Sequence, residues 1–440
     1  MNRKTVAYHN LGCKVNSYEM DAMLQSLRQK GYEFVPFEEK ADIYIVNTCT
    51  VTNIADRKSR QMLHKAKKTN PEGIVVAVGC YVQSDTEAVK ADASVDLMIG
   101  NNKKRDLVEI LENYFEGVEQ ENVIDINHTL EYEEMKLTAT TEHTRAYIKI
   151  QDGCNQFCTY CMIPYARGRV RSRKKADILE EIRGLVSAGY KEFVLTGIHI
   201  SSYGDGSLLE LIEAIDAIEG VARIRLGSLE PRIVTAEFAD RLSRLKHICP
   251  HFHLSLQSGC ESVLKRMNRH YTPEEYIEGV KRLRTAFDHP AITTDVIVGF
   301  PGETNEEFAQ TVVFVKEVNF YEMHIFKYSK RKGTKAAVTQ NQVPESIKTK
   351  RSAILQEIER TDSEKFRAYY IGKEVEVLFE EEKEIDGTKY FIGHTREYVK
   401  VAVDCKTICG QNFENKLISG KIVGFTDPEL LLMEISKSIY

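Results

Sequence analysis

The chain has 440 residues, of which 42% are hydrophobic, and a net charge of −5. That length calls for about three domains, and the apolar content excludes a largely disordered chain. The small net charge excludes nucleic-acid binding by bulk electrostatics, so such a role needs a local basic patch.

The opening MNRKTVAYHN lacks the apolar core of a signal peptide. No stretch approaches the roughly 18 apolar residues of a membrane span, so the chain reads as cytoplasmic. Residues 1–130 alternate strand and helix patterns, with strands at Thr5–Tyr8, 43–46 (IYIV), 74–78 (IVVAV) and 97–100 (LMIG). A helix is expected from Ser17 to Lys30, with Asn16 and Glu19 spaced as a capping box and Gly31 as its stop. This alternation predicts a doubly wound, Rossmann-like parallel sheet. Residues 140–370 repeat the alternation six times, with strands at 147–150, 193–197, 223–228, 251–256, 292–299 and 323–329. They predict a partial (β/α)6 barrel with its site at the carboxyl ends of the strands. A charged helix from Pro344 to about Tyr370 reads as a lid or connector. Residues 371–440 hold short β-branched runs between glycine turns, which predict a small all-β, OB-like barrel.

Ten cysteines in a cytoplasmic chain read as thiols, metal ligands or catalytic groups rather than disulfides. Cys154, Cys158 and Cys161 form C-x3-C-x2-C directly after the first barrel strand. A structural zinc site takes four protein ligands, and no fourth follows at a suitable distance. A [4Fe–4S] cluster on three thiolates instead keeps one iron open. An incomplete zinc site or three buried cysteines is the alternative. Cys13, Cys49 and Cys80 each follow a strand of the first segment, and in a parallel sheet they share one carboxyl edge. They read as a second three-thiolate cluster, against the alternative of small buried hydrophobes. Cys249, Cys260, Cys405 and Cys409 read as structural.

The C-x3-C-x2-C spacing resembles that of the radical SAM enzymes. The likeness implies that the open iron binds S-adenosylmethionine (SAM) and that Tyr160 packs by its adenine. LEP at 229–231 and LQSGCESVLKRMNRHYT at 256–272 are similar to strand-end motifs of the methylthiotransferase branch. Carried over, they imply Gln257 and Arg269 for the methionyl part and Glu230 for the ribose. VIVGFPGET departs from the superfamily's glycine motif, with Asp295 for its first glycine and Glu303 one place late.

With the three amino-terminal cysteines, the likeness to the radical SAM methylthiotransferases covers almost the whole chain. It implies two [4Fe–4S] clusters, two molecules of SAM, and a reductase or flavodoxin-like electron donor. GCKVN at 12–16 resembles the subgroup acting on threonylcarbamoyladenosine 3′ of the anticodon, in tRNAs with an ANN-decoding anticodon. Isopentenyladenosine in tRNA and a ribosomal-protein aspartate are the other substrates the family offers. A non-catalytic, metal-binding RNA module is the reading from another class.

For RNA, RGRVRSRKK at 167–175 carries six cations and no acid. In an extended segment Arg167, Arg169, Arg171 and Arg173 would point one way, as a comb for phosphates, or else form a solvated basic edge. GHTREYVKV at 393–401 resembles the TRAM module and offers Arg396 and Lys400 as RNA contacts, although residues 371–440 hold nine Lys/Arg against thirteen Asp/Glu.

Overall fold

The computed structural model describes residues 4–139, 144–408 and 411–435; the expectation for Cys409 lies outside them. The first domain is a five-stranded, all-parallel sheet in the order β2-β1-β3-β4-β5. Its strands are β1 (Thr5–Asn10), β2 (Glu33–Phe34), β3 (Ile43–Thr48), β4 (Ile74–Gly79) and β5 (Leu97–Ile99). All six residues of β3 are buried, as an apolar run covered on both faces must be.

The first helix, α1 (Lys14–Gln29), starts three residues before the expected Ser17, with Cys13 at its N-cap. Asn16 and Glu19 do not form the anticipated capping box. Both are buried in the first turns and used elsewhere. Two further helices flank the sheet edge: α2 (Asn53–Thr69) after β3 and α3 (Cys80–Ser84) after β4.

The second domain contains the six expected parallel strands: β6 (Arg145–Asp152), β8 (Glu192–Gly197), β9 (Arg223–Leu226), β10 (His251–His253), β11 (Ala291–Val298) and β12 (Glu322–Lys327). Isolated parallel bridges Ile224↔Ile248 and Leu229↔Leu254 join the two halves into one open curve. One strand of this domain was not foreseen, as β2 was not in the first. β7 (Arg171–Ser172) pairs antiparallel with the end of β6. Strand alternation sorts the side chains. Ile148, Leu195, Ile224, Phe252 and Val296 pack outward against the helices. Their neighbours Arg145, Lys149, Glu192, Arg225, His253 and Asp295 therefore face the lumen. A charged interior of this kind is a site rather than a core.

The helix Glu345–Ala368 acts as the connector, with Arg351 holding Glu303 at 2.6 Å. Glu303 also accepts from the amide of Gly299 at 2.6 Å, so the displaced glutamate of the glycine motif fastens its own loop. Among the described residues no helix is long and apolar enough to cross a membrane. The last domain is a closed barrel of β13 (Glu374–Ile385), β14 (Thr388–His394), β15 (Lys400–Asp404), β16 (Leu417–Asp427) and β17 (Leu430–Ile435).

The TRAM-like signature faces the second domain. Tyr398 stacks on His394 and lies over Arg145 and Arg225. Arg396, expected on RNA, instead donates to the carbonyls of Lys246 at 2.8 Å and Ile248 at 2.7 Å. Lys400 is half-buried in a recess with Arg367 and Glu429. We predict that Arg396→Met loosens this junction by about 1–3 kcal/mol, because it strands two carbonyls. Limited proteolysis should cut faster near Tyr369–Lys373, and the salt dependence of tRNA binding should stay unchanged. A lowered salt slope would restore Arg396 to the RNA.

Candidate functional site

The first cysteine trio is built by the sheet edge. Leu11 donates to the Asn47 carbonyl at 2.9 Å, which turns the chain after β1 over β3. Gly12 (φ +110°) makes the turn that delivers Cys13; a Cβ there would sit 3.3 Å from the Cys49 sulfur. Thr48 and Gly79 are register partners, so Cys49 and Cys80 leave adjacent strands at the same level. Cys49 and Cys80 are buried, whereas Cys13 is exposed. Desolvation nevertheless pushes the Cys13 thiol up, partly against the guanidinium of Arg167. Burial likewise raises Cys49 to about 11. Asn101 Nδ2 lies 3.6 Å and Arg167 Nε 3.3 Å from the Cys80 sulfur.

The second trio lies on the loop after β6. Gly153 (φ +71°) starts the loop, and a Cβ there would meet the Arg169 carbonyl at 1.9 Å. The loop is fastened along its length. Thr159 N donates to Met267 O at 3.0 Å, Asn268 Nδ2 reaches the carbonyls of Gln156 and Phe157, and Ala336 N donates to Thr159 O at 2.9 Å. Each sulfur receives a donor: the Gln156 amide to Cys154 (3.4 Å), the Ile163 amide to Cys161 (3.4 Å) and the Arg269 guanidinium to Cys158 (3.2 Å). Desolvation raises the Cys161 thiol to about 12. Such thiols become ligands by exchanging a proton for the charge of a metal.

Among the described residues, His253, Asp295 and His324 are the three whose ligand atoms all come within 4.8 Å of one another. Amide and guanidinium donors to sulfur are what iron–sulfur thiolates require. The His253 group itself escaped the sequence reading. Its signal was period-two placement on neighbouring strands, since Asp295 and His324 are register partners.

Of the expected SAM residues, Tyr160 lies on the second trio's loop and Arg269 donates to its Cys158. Tyr160 packs edge-on to Phe300 in an apolar group with Val263 and Met267. Arg269 also meets the Tyr271 hydroxyl at 3.1 Å. Gln257 is buried with φ +67°, a conformation costing about 1–3 kcal/mol in a non-glycine residue, and its backbone bridges to Asp295 and Ile297. Glu230 is buried and binds Arg232 at 2.9 Å.

The arginine comb is overturned. Arg167, Arg171 and Arg173 are buried, because β7 pairs with β6 and folds the run inward. Arg173 pairs with Glu134 and Glu181. Arg171 lies 3.6 Å from Asp152. Arg169, half-exposed, lies over the Phe157 ring at 4.5 Å. Arg167 reaches from the barrel loop into the first domain and binds Glu19 (2.7 Å), Asn16 (2.6 Å), Asp152 (3.2 Å) and the Cys80 sulfur. Glu19 also takes Lys104 and, at 2.6 Å, Lys149.

Burial alone would raise the Glu19 carboxyl, but Arg167, Lys104 and Lys149 hold it well below the usual range. Burial likewise opposes ionisation of Asp152, and Lys149, Arg167 and Arg171 hold it down. A depressed carboxylate stabilises the fold above its unfolded pKa, and that stability is lost as pH falls. Acidification below about pH 4 should therefore uncouple the first domain from the barrel. Glu19→Gln, which strands buried cations, should cost about 3–5 kcal/mol and lower the melting temperature at neutral pH. An unchanged melt and acid profile would show that the node does not join the domains.

Two family models match the chain: the Radical SAM superfamily over residues 148–315 and Uncharacterized protein family UPF0004 over residues 5–100. It is 43% identical to the threonylcarbamoyladenosine tRNA methylthiotransferase MtaB of Bacillus subtilis, covering 90% of each chain. It is 41% identical to the protein of that name from Aquifex aeolicus, over 90% of this chain and 97% of that one. It is 35% identical to the tRNA-2-methylthio-N(6)-dimethylallyladenosine synthase of Carboxydothermus hydrogenoformans, over 93% and 96%. Among solved structures, the radical SAM methyltransferase TsrM of Kitasatospora setae shares the fold, with a TM-score of 0.59 at 14% identity over 76% of this chain and 74% of that one. Six cysteines in two trios and relatedness along nine-tenths of the sequence converge on one assignment: the chain belongs to the radical SAM tRNA methylthiotransferases, enzymes of SAM and [4Fe–4S] chemistry.

Proposed function

We propose that this enzyme places a methylthio group on C2 of the adenine in threonylcarbamoyladenosine, immediately 3′ of the anticodon in tRNAs with an ANN-decoding anticodon. It would use two SAM molecules and two [4Fe–4S] clusters, one on Cys13, Cys49 and Cys80 and the other on Cys154, Cys158 and Cys161. The observation that carries this reading is Arg167. It follows the loop of the second trio and reaches a sulfur of the first at 3.3 Å, which supports the two trios' being apposed. The higher identity to the threonylcarbamoyl relatives (43% and 41%) than to the dimethylallyl relative (35%) supports the choice of nucleoside.

When bound, these groups supply radical generation from SAM, fed by a reductase or flavodoxin-like donor, and the sulfur to be transferred. The chain's own residues do the rest. Tyr160 and its apolar neighbours offer a flat wall for the adenine of SAM. Arg269, beside Cys158, offers a cation to the methionyl carboxylate, and Gln257, on a strained backbone bonded to Asp295 and Ile297, is the second candidate for the methionyl part. Glu230, buried and paired with Arg232, is the candidate for the ribose. Alanine at any one of the six cysteines should leave about half of the iron and abolish methylthiolation. Full iron with retained product would remove that cysteine from the ligand set.

A cationic rim supports docking of the tRNA. Exposed Arg57 and Lys58 of α2 lie opposite exposed Lys330, Lys332 and Lys335. Asn53 holds the Lys330 carbonyl at 2.9 Å, and Arg331 binds Thr50 and Asp56. None of the five rim cations forms an ion pair among the described residues, and their loop packs on the second cysteine loop through Ala336. Replacing Lys330, Lys332 and Lys335 by Gln should weaken tRNA binding and flatten its salt dependence by about 0.9 per lost phosphate contact. An unchanged slope would place the phosphates elsewhere. Nucleoside mass spectrometry of tRNA from a deletion strain tests the substrate. Loss of the methylthio form of threonylcarbamoyladenosine is expected, and loss on dimethylallyladenosine instead would overturn the reading.

A further inference from the structure

Inside the barrel lumen, apart from both cysteine trios, three metal-ligating side chains meet on adjacent strands. His253 ends β10, Asp295 lies within β11 and His324 within β12. Register aligns them: His253 pairs with Thr293, and Asp295 with His324. Residues opposite one another in a ladder share a face, as do residues two apart on one strand, so all three belong to the lumen wall. One ligand atom of each lies within 4.8 Å of the other two. Asp295 is three residues short of the end of β11, which sets the group about 10 Å below the carboxyl edge.

These groups lack a cation. His253 Nδ1 meets the Thr293 hydroxyl at 3.0 Å, which fixes the ring and turns Nε2 toward Asp295. Nε2 is enclosed and 3.3 Å from the carboxylate, yet it has no hydrogen-bond partner. Among the described residues neither the Asp295 carboxylate nor the His324 ring makes a hydrogen bond, and the two imidazoles stack with centroids 5.9 Å apart. Two donors bound to one ion at about 2.1 Å stand about 3.0–3.4 Å from each other at octahedral or tetrahedral angles, which brackets the spacing of Nε2 and the carboxylate. Imidazole suits zinc, iron, nickel or copper, whereas magnesium and calcium take oxygen ligands. We infer that His253, Asp295 and His324 bind one divalent transition-metal ion in the lumen, through two nitrogens and one oxygen. Thr293 orients His253 as the outer partner of a metal-bound imidazole does. Because the donors share one wall, the remaining coordination positions turn inward, open to water or to an oxygen-bearing ligand.

Zinc alone is the probe, added anaerobically to holoenzyme whose clusters occupy the six cysteines. After gel filtration, metal analysis should find one zinc per chain beyond the cluster iron, and a large excess of magnesium should not displace it. Zinc K-edge absorption should show nitrogen and oxygen at about 2.0–2.1 Å, with imidazole scattering and no sulfur. His324→Ala, at an exposed position, should abolish zinc binding and leave the iron as in wild type. Thr293→Val, which keeps all three ligands, should weaken zinc binding about 10–100-fold. Sulfur at about 2.3 Å would put the zinc on a cysteine trio and overturn the inference. A holoenzyme that retains no zinc would overturn it too, as would one zinc per chain surviving in both His324→Ala and Asp295→Asn.

Discussion

The arrangement depends on one buried cation. Arg167 is fully enclosed and shared between Glu19 of the first domain, Asp152 at the end of β6 and the sulfur of Cys80. A guanidinium out of water survives only where carboxylates and acceptors surround it. Those partners come from two domains, so the charge can be satisfied only when the sheet edge and the barrel mouth are apposed. Lys104 and Lys149 complete the node around Glu19. The cationic excess beside Cys80 suits a site whose donors are thiolates, since negative charge brought by three sulfurs meets positive charge already fixed in place.

The lumen shows the same logic on a larger scale. The barrel strands turn Ile148, Leu195, Ile224, Phe252 and Val296 outward and Lys149, Glu192, Arg225 and Asp295 inward, which gives the interior its ion pairs. The third domain closes the floor. Tyr398 lies over Arg145 and Arg225, and Arg223 donates to the His394 carbonyl at 2.8 Å. The carboxyl-terminal barrel thus stiffens the charged floor. The chemistry is divided among domains, and the electrostatics assemble them.

Much of this was legible in the sequence, for identifiable reasons. Cys13, Cys49 and Cys80 could be grouped because parallel strands bring their carboxyl ends to one edge, a topological rule that needs no coordinates. The six barrel strands were found from the repeated alternation of strand and helix patterns. What failed was the choice of face. Arg167, Arg171 and Arg173 alternate as an exposed comb would, but alternation states which residues share a side and not whether another domain covers it. Asn16 and Glu19 matched a capping box because polar residues at that spacing also suit a buried ion-pair node. Arg396 read as an RNA contact because its carbonyl partners at Lys246 and Ile248 lie about 150 positions away in the chain. The cationic rim of Arg57, Lys58, Lys330, Lys332 and Lys335 was missed for the same reason. Neither half is a patch by itself.

The central claim is that two cysteine trios hold two clusters facing one cavity. Pulsed EPR on the reduced, anaerobically reconstituted protein tests it most directly. Two half-spin [4Fe–4S] signals broadened by mutual magnetic coupling are the expected result, with the coupling lost when Cys80 is replaced. A single cluster, or two signals without interaction, would contradict the account.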